Sequence, residues 1–428
     1  MERLVLQLFS SAGFEEAPHI EFSVVDPPLW DSPTQPLTIT ATEAEFEALA
    51  KHPDVGDQLN AALQARPDEH CPVYLQIKTS AGVEDLPWET LCSPGGDFLA
   101  LDERWGLGRV VESISATTPS YTFTPPLRIA VILSCLGVPA AGELAALREA
   151  MATAPGLQTR MLLVTSEEAL HTAVAAEAPP GIEVQFVPAE LRALHEMVQA
   201  FQPHVLHFFC HGTTAAEPHL LLAVKSDWIR GTPDRSLAIG AKEFRHFTRE
   251  TDPPPWLLVL NACESAAVAT KENLQSLASR LLYYGASPAV VAMREPVLSG
   301  DANLLTSVFY RRLLSDLQGR LDGSVADSQT VDWVVRLVVQ ARNQLARRNP
   351  ALTLDAAAAS TKEWTLPVAY VSARPFKLQV VAASARIRLE LEGLRQMLDG
   401  LPPGRQADPL RTDVAARIRL LGRQLEGV

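Results

Sequence analysis

A thiol and an imidazole can together split an acyl bond, and this chain offers one of each at the ends of two apolar runs. The runs are His204-Val205-Leu206-His207-Phe208-Phe209-Cys210-His211-Gly212 and Trp256-Leu257-Leu258-Val259-Leu260-Asn261-Ala262-Cys263. Both are of strand length and rich in β-branched and aromatic residues, and both close on a side chain with reactive chemistry. His211 and Cys263 are 52 residues apart. A cysteine attacks only as thiolate, and an unperturbed thiol with a pKa of about 8.5 is only a few per cent ionised at neutral pH. A neighbouring imidazole, or a helix starting just after the cysteine, favours the anion. The backbone N–H groups of Gly212 and Cys263 are natural donors to the oxyanion that such an attack creates, each donor being worth roughly 3 kcal/mol. Either side chain alone in an apolar run reads as a core residue. The two together, at neighbouring strand ends, read as a nucleophile and its base.

Runs this uniformly apolar suit strands buried on both faces of a parallel sheet, and in open α/β sheets the carboxyl ends of such strands face the ligand crevice. The flanking sequence supplies the expected rhythm. Leu127–Leu133, Arg160–Val164 and Ile182–Val187 read as strands. They alternate with helices over Glu143–Ala152, a segment capped by Ser166 with Glu168 in its first turn, and Glu190–Ala200. Further on, Lys242–Phe247, Asn273–Tyr284, Asn303–Leu317 and Asp332–Arg347 read as helices, with strands at Pro288–Met293 and Thr365–Val371. Gly285 is placed to end the second of these helices. Upstream, Leu4–Phe9, Ile20–Val25 and Val73–Lys78 read as strands, Ala41–Ala65 as a helix, and Leu86–Leu101 as a turn with a short hairpin edge. The paired prolines of Thr122-Phe123-Thr124-Pro125-Pro126 mark a linker. The expected organisation is an α/β lobe over 1–125, an α/β catalytic domain over 126–375, and a C-terminal helical hairpin over 376–428. The hairpin is suggested by an echo, Ala385-Arg386-Ile387-Arg388-Leu389 and Ala416-Arg417-Ile418-Arg419-Leu420, around Pro402-Pro403-Gly404.

Bulk properties narrow the function classes. A net charge of −13 and a pI near 5.3 argue against nucleic acid or a membrane surface as partner. No apolar run approaches the roughly 18 residues of a membrane span, and the N-terminus lacks a secretory pattern. Five scattered cysteines, with no C-x-x-C pair, suit neither a disulfide framework nor a zinc site. A reducing cytoplasm is the expected setting. No phosphate-cradling glycine motif is present, His204, His207 and His211 cannot converge from one strand on a metal, and no cofactor is expected. His207 reads as a buried supporting residue, and Cys210 should face away from His211 across the strand. Ser265 either orients the loop after Cys263 or caps a helix there.

His207-Phe208-Phe209-Cys210-His211-Gly212 resembles the histidine motif of CHAT domains, a caspase-like family of clan CD cysteine peptidases, and Leu258-Val259-Leu260-Asn261-Ala262-Cys263-Glu264-Ser265 resembles their cysteine motif. Four further segments resemble the family in the same order. They are Leu86–Leu91 with Phe98–Leu101, Leu282–Val290, Pro296-Val297 with Asp301, and Val308–Leu313. The resemblance covers about residues 75 to 375 and implies a caspase-like, parallel-rich sheet flanked by helices. It further implies a cysteine endopeptidase with Cys263 as nucleophile and His211 as general base, acting as a regulated effector on a partner protein in bacterial defence or cell death. A separate activator or sensor protein is expected, and the C-terminal helices could hold a partner or a second copy. Arg294-Glu295 stands where family members often carry Trp, so specificity does not transfer. Asp301 and Glu295, with Ser265, are the candidate substrate contacts, and a carboxylate lining the P1 pocket would favour a basic residue. Two other readings stay open: a catalytically silent interaction scaffold on the same fold, and a hydrolase of a non-peptide acyl substrate.

Overall fold

Strands that are apolar on both faces need cover on both, and the chain provides it. The computed structural model describes residues 4–10, 19–25, 37–40, 72–77, 87–92, 97–113, 120–213, 217–249, 255–262, 276–322, 333–347, 353–374, 376–381, 383–400 and 408–426. First come β1 (Leu4–Ser10), β2 (His19–Val25), β3 (Leu37–Thr40), β4 (Val73–Ile77), β5 (Leu107–Val111) and β6 (Ser120–Phe123), with 3-10 turns at Trp88–Thr90 and Leu99–Leu101. β7 (Leu127–Ser134), α1 (Ala141–Ala152), β8 (Thr159–Thr165), α2 (Glu168–Glu177), β9 (Ile182–Phe186) and α3 (Leu191–Phe201) then alternate up to β10 (Val205–Thr213). β11 (His219–Leu222), α4 (Lys225–Arg230), β12 (Leu237–Gly240) and α5 (Ala241–Arg249) separate β10 from β13 (Leu257–Ala262). There follow α6 (Leu277–Tyr283), β14 (Ala289–Met293), α7 (Ser299–Leu321), α8 (Trp333–Ala346), α9 (Leu354–Ala358), β15 (Pro367–Ser372) and β16 (Lys377–Val380). Helices α10 (Ala383–Gly400) and α11 (Asp408–Glu426) come last.

Among the described residues one 14-stranded sheet runs β3-β2-β1-β4-β5-β15-β14-β13-β10-β7-β8-β9, with β11 and β12 attached beyond β10. Most neighbours are parallel, as expected of a mixed α/β fold whose large sheet is flanked by helices. β15 is antiparallel to β14 and parallel to β5, so direction reverses there. The carboxyl ends of β7, β10, β13 and β14 therefore share a rim with the amino ends of β15 and β5. On one face Val205, Phe209, Val259 and Val291 pack under Leu144, Leu147, Leu305, Phe309 and Val338 of α1, α7 and α8. On the other, Leu206, Phe208, Leu258 and Val290 pack under Leu194, Val198, Phe244 and Leu281 of α3, α5 and α6. No helix among the described residues is long and apolar enough to cross a membrane.

Several expected elements differ in detail. Thr122 and Phe123, read as linker, belong to β6 and pair in parallel with β16, because Tyr121 and Phe123 have apolar partners to bury against. The cap of α2 is Glu167 rather than Ser166, and its carboxylate instead accepts the Ala140 N–H at 2.7 Å. Gly285 does end α6: at φ +70° it lets its own N–H bond Leu282 O and the Ala286 N–H bond Leu281 O. The expected helix over Ala41–Ala65 lies outside the described residues. α10 and α11 pack together, with Leu391, Val414 and Leu421 buried and Arg417 paired to Glu390.

At the start of β10, far from the rim, His204 Nδ1 accepts the Arg128 N–H at 3.1 Å, and the ring packs edge-on to Phe123 and stacks on Trp256. Burial, helped by the Arg128 charge, pushes its imidazole down to about 3. The folded value lies below the unfolded one of about 6.5, so this contribution to stability is complete above that pH and is lost as pH falls towards about 3. The expected cost approaches about 1.4 kcal/mol per pH unit in that window. In His204→Asn, whose side-chain oxygen can replace Nδ1 as acceptor, urea titrations at pH 7, 6 and 5 should show a shallower loss than wild type. Equal slopes would remove His204 as the cause.

Candidate active site

Register sets three strand ends side by side. Val205–Cys210 of β10 pairs on one side with Ile129–Ser134 of β7 and on the other with Leu257–Ala262 of β13, so Cys210 lies between Ser134 and Ala262. His211, Cys135 and Cys263 each follow that row by one residue. Cys263 and Ser265 are outside the described residues. As expected, Cys210 packs on the sheet face opposite to Phe209. β10 does not stop at His211, however. It continues through Gly212 to Thr213, exchanging its parallel partners for β11, with His211 opposite Leu221 and Gly212 opposite Leu220. The backbone carries on as strand because His219–Leu222 supplies an antiparallel partner there.

His211 is half-buried, and its Nε2 lies 2.8 Å from the carbonyl oxygen of Leu136. A carbonyl can only accept, so the neutral ring carries its proton on Nε2 and its lone pair on Nδ1. The contact also fixes the plane of the ring. Cys135 Sγ sits 3.6 Å from the same Nε2. Leu136 and Cys135 went unread in the sequence. The available signal was their place just after the apolar run of β7, where strand-end loops of a parallel sheet gather.

Arg294 and Glu295 follow β14 on the same rim. Arg294 Nη2 donates to Thr365 Oγ1 at 3.2 Å and pairs with Glu295 Oε1 at 3.0 Å, while Lys362 Nζ donates to Glu295 Oε2 at 2.6 Å. Partial burial opposes ionisation of Glu295, but the Lys362 hydrogen bond and the two cationic neighbours outweigh it and hold the carboxyl below its usual range. Its charge is thus already matched by cations of the chain. Asp301 lies in the first turn of α7, buried, with its own N–H bonded to Leu298 O. Among the described residues no group of three His, Cys, Asp or Glu side chains could hold a metal ion.

Comparison with known proteins gives one family. The CHAT domain model matches residues 42–336. No curated protein matches the chain. Among solved structures, the Saccharomyces cerevisiae separase–securin complex is similar at 15% identity with a TM-score of 0.35. That match covers 72% of this chain and 16% of the other, so the chain spans only about a sixth of that relative's length.

Proposed function

The chain belongs to the CHAT domain family, and from that premise we propose that it is a cysteine endopeptidase that cleaves a partner protein. The observation that carries this reading is the imidazole of His211, oriented by the Leu136 carbonyl at 2.8 Å, on a strand in register with the one that leads directly into Cys263. Cys263 gives its proton to Nδ1 of His211, and the thiolate attacks the scissile carbonyl carbon. The negative oxygen that results is held by the N–H groups of Gly212 and Cys263. His211, now imidazolium, returns the proton to the departing amine as the C–N bond breaks and a thioester forms. Water, deprotonated by His211, then attacks the thioester, releasing the carboxylic acid and the thiol. Leu136 keeps Nε2–H engaged throughout, so the ring does not swap tautomers between steps. The biological role that fits this chemistry is a regulated effector in bacterial defence or cell death, switched on by a separate sensor or activator protein.

A peptidyl electrophile that mimics a scissile carbonyl tests this without knowledge of the substrate. Mass spectrometry of the treated protein should find the label on Cys263. No label, or a label on Cys135, would end the assignment.

A further inference from the structure

Beneath the rim, on the face carrying His207 and Phe209, lies a carboxylate with no exposure to water. Glu143 belongs to the first turn of α1. Its Oε1 accepts from Asn261 Nδ2 at 2.9 Å and from the hydroxyl of Thr306, and lies 2.9 Å from His207 Nε2, off the direction of that ring N–H. Asn261 Nδ2 also reaches Ala302 O and Thr306 Oγ1, each at 3.2 Å. His207 Nδ1 meets Tyr310 Oη at 3.2 Å. Burial, with the Glu143 charge added, raises Tyr310 well above a normal phenol, so it keeps its proton and donates to Nδ1. These five side chains come from α1, β10, β13 and α7, and none is more than 3% exposed.

Stability is a poor explanation for such a cluster. An apolar set of the same volume is often as stable as a buried charged group or more so, because the carboxylate must be taken out of water. Nor is the cluster optimised for hydrogen bonding, since Glu143 Oε2 and Asn261 Oδ1 are buried without a partner among the described residues. What distinguishes it is position. Asn261 is in register with Phe209, two residues ahead of Cys263 on one strand and level with the residue two ahead of His211 on the other. Directional bonds at this point hold two strand ends at a set height against α1 and α7, which apolar packing does less sharply.

We propose that Glu143 is a positioning residue for the cysteine–histidine pair, acting through its hydrogen bonds to Asn261 on β13 and Thr306 on α7. This rests on the assignment of Cys263 and His211 as nucleophile and base. A thiolate–imidazolium pair is sensitive to separation, so loss of alignment should appear as loss of thiol activation, a readout that a merely structural role would not move. The experiment is iodoacetamide alkylation of Cys263, followed by mass spectrometry from pH 5 to 9, in wild type, Glu143→Gln, Thr306→Val and His211→Ala, with circular dichroism to verify folding. The wild-type midpoint should fall below the free-thiol value of about 8.5. Glu143→Gln should raise it by about one pH unit, slowing alkylation at pH 7 up to about tenfold, and Thr306→Val should move it the same way by less. A Glu143→Gln profile that superimposes on wild type overturns the proposal. If Glu143→Gln does not fold, Thr306→Val decides by the same criterion. A wild-type midpoint at the free-thiol value, unchanged in His211→Ala, would instead refute the nucleophile–base assignment and the positioning role with it.

Discussion

In His211→Ala, peptide cleavage at pH 7 should fall by about 10²- to 10⁴-fold, the usual span for loss of a general base. The loss should be pH-dependent. As the medium rises past about 8.5, Cys263 ionises without help, and the gap to wild type should narrow. Leaving-group protonation would still be missing, so recovery should be partial. Cys263→Ala should be inactive at every pH, since nothing else in the scheme forms the thioester. Cleavage rates measured from pH 6 to 9 for the two variants separate these roles. A deficit in His211→Ala that stays constant across that range would mean that the imidazole does not act by taking the thiol proton. The contact that aims the ring is a main-chain carbonyl, that of Leu136, so no side-chain substitution there removes it directly.

The second large effect concerns folding. Glu89 lies buried between two guanidinium groups, with Oε2 3.6 Å from Arg109 Nη2 and Oε1 3.7 Å from Arg342 Nη2, every side chain at most 2% exposed. Arg342 also donates to the carbonyls of Pro367 and Leu107, and Arg109 to the hydroxyl of Tyr370. Burial drives the Arg342 guanidinium down to about 10, with Glu89 pulling the other way and Arg109 adding to the fall. Removing the carboxylate leaves two buried cations facing each other, and breaking a buried pair in this way typically costs about 3–5 kcal/mol. Glu89→Ala should therefore lower unfolding free energy by about that amount in urea titration. A loss below about 1 kcal/mol, the scale of an exposed pair, would mean that the carboxylate does not balance these charges. Glu89→Gln separates charge from volume: it should lose most of the same stability while filling the same space. The Trp88-Glu89 segment thus has a physical reason to sit where it does. It carries the counter-charge that ties β5, β15 and α8 into one body.

Much of this was open to reading because the relevant forces are local or periodic. The apolar runs 127–133, 205–210 and 257–262 leave no polar face, so they must be interior strands, and the helices between them follow from alternation and from stops such as Gly285. That the strand carrying His211 lies beside the strand leading into Cys263 follows for the same reason, since two such runs share one sheet with their carboxyl ends together. Elements with weak local signals were not. β5, β11, β12 and β16 are short, and the end of β6 reads as linker because two prolines follow it closely. Their strand character comes from pairing partners far away in sequence, such as Lys377–Val380 for Ser120–Phe123.

Composition and pattern by themselves determined an α/β chain with a parallel-rich sheet, two neighbouring strands of which one carries His211 and the other leads into Cys263, and a helical pair at the C-terminus. Only the tertiary structure decided that the sheet reverses direction at β15 and carries on to β3, and that His211 is held by the carbonyl of a leucine. It alone decided that Glu143, an ordinary first-turn acid on paper, is buried beneath the site. The reason is common to all three. Backbone carbonyls are chemically alike at every position, strand edges do not name their partners, and a carboxylate's burial depends on donors that arrive from residues 118 and 163 positions away in the chain.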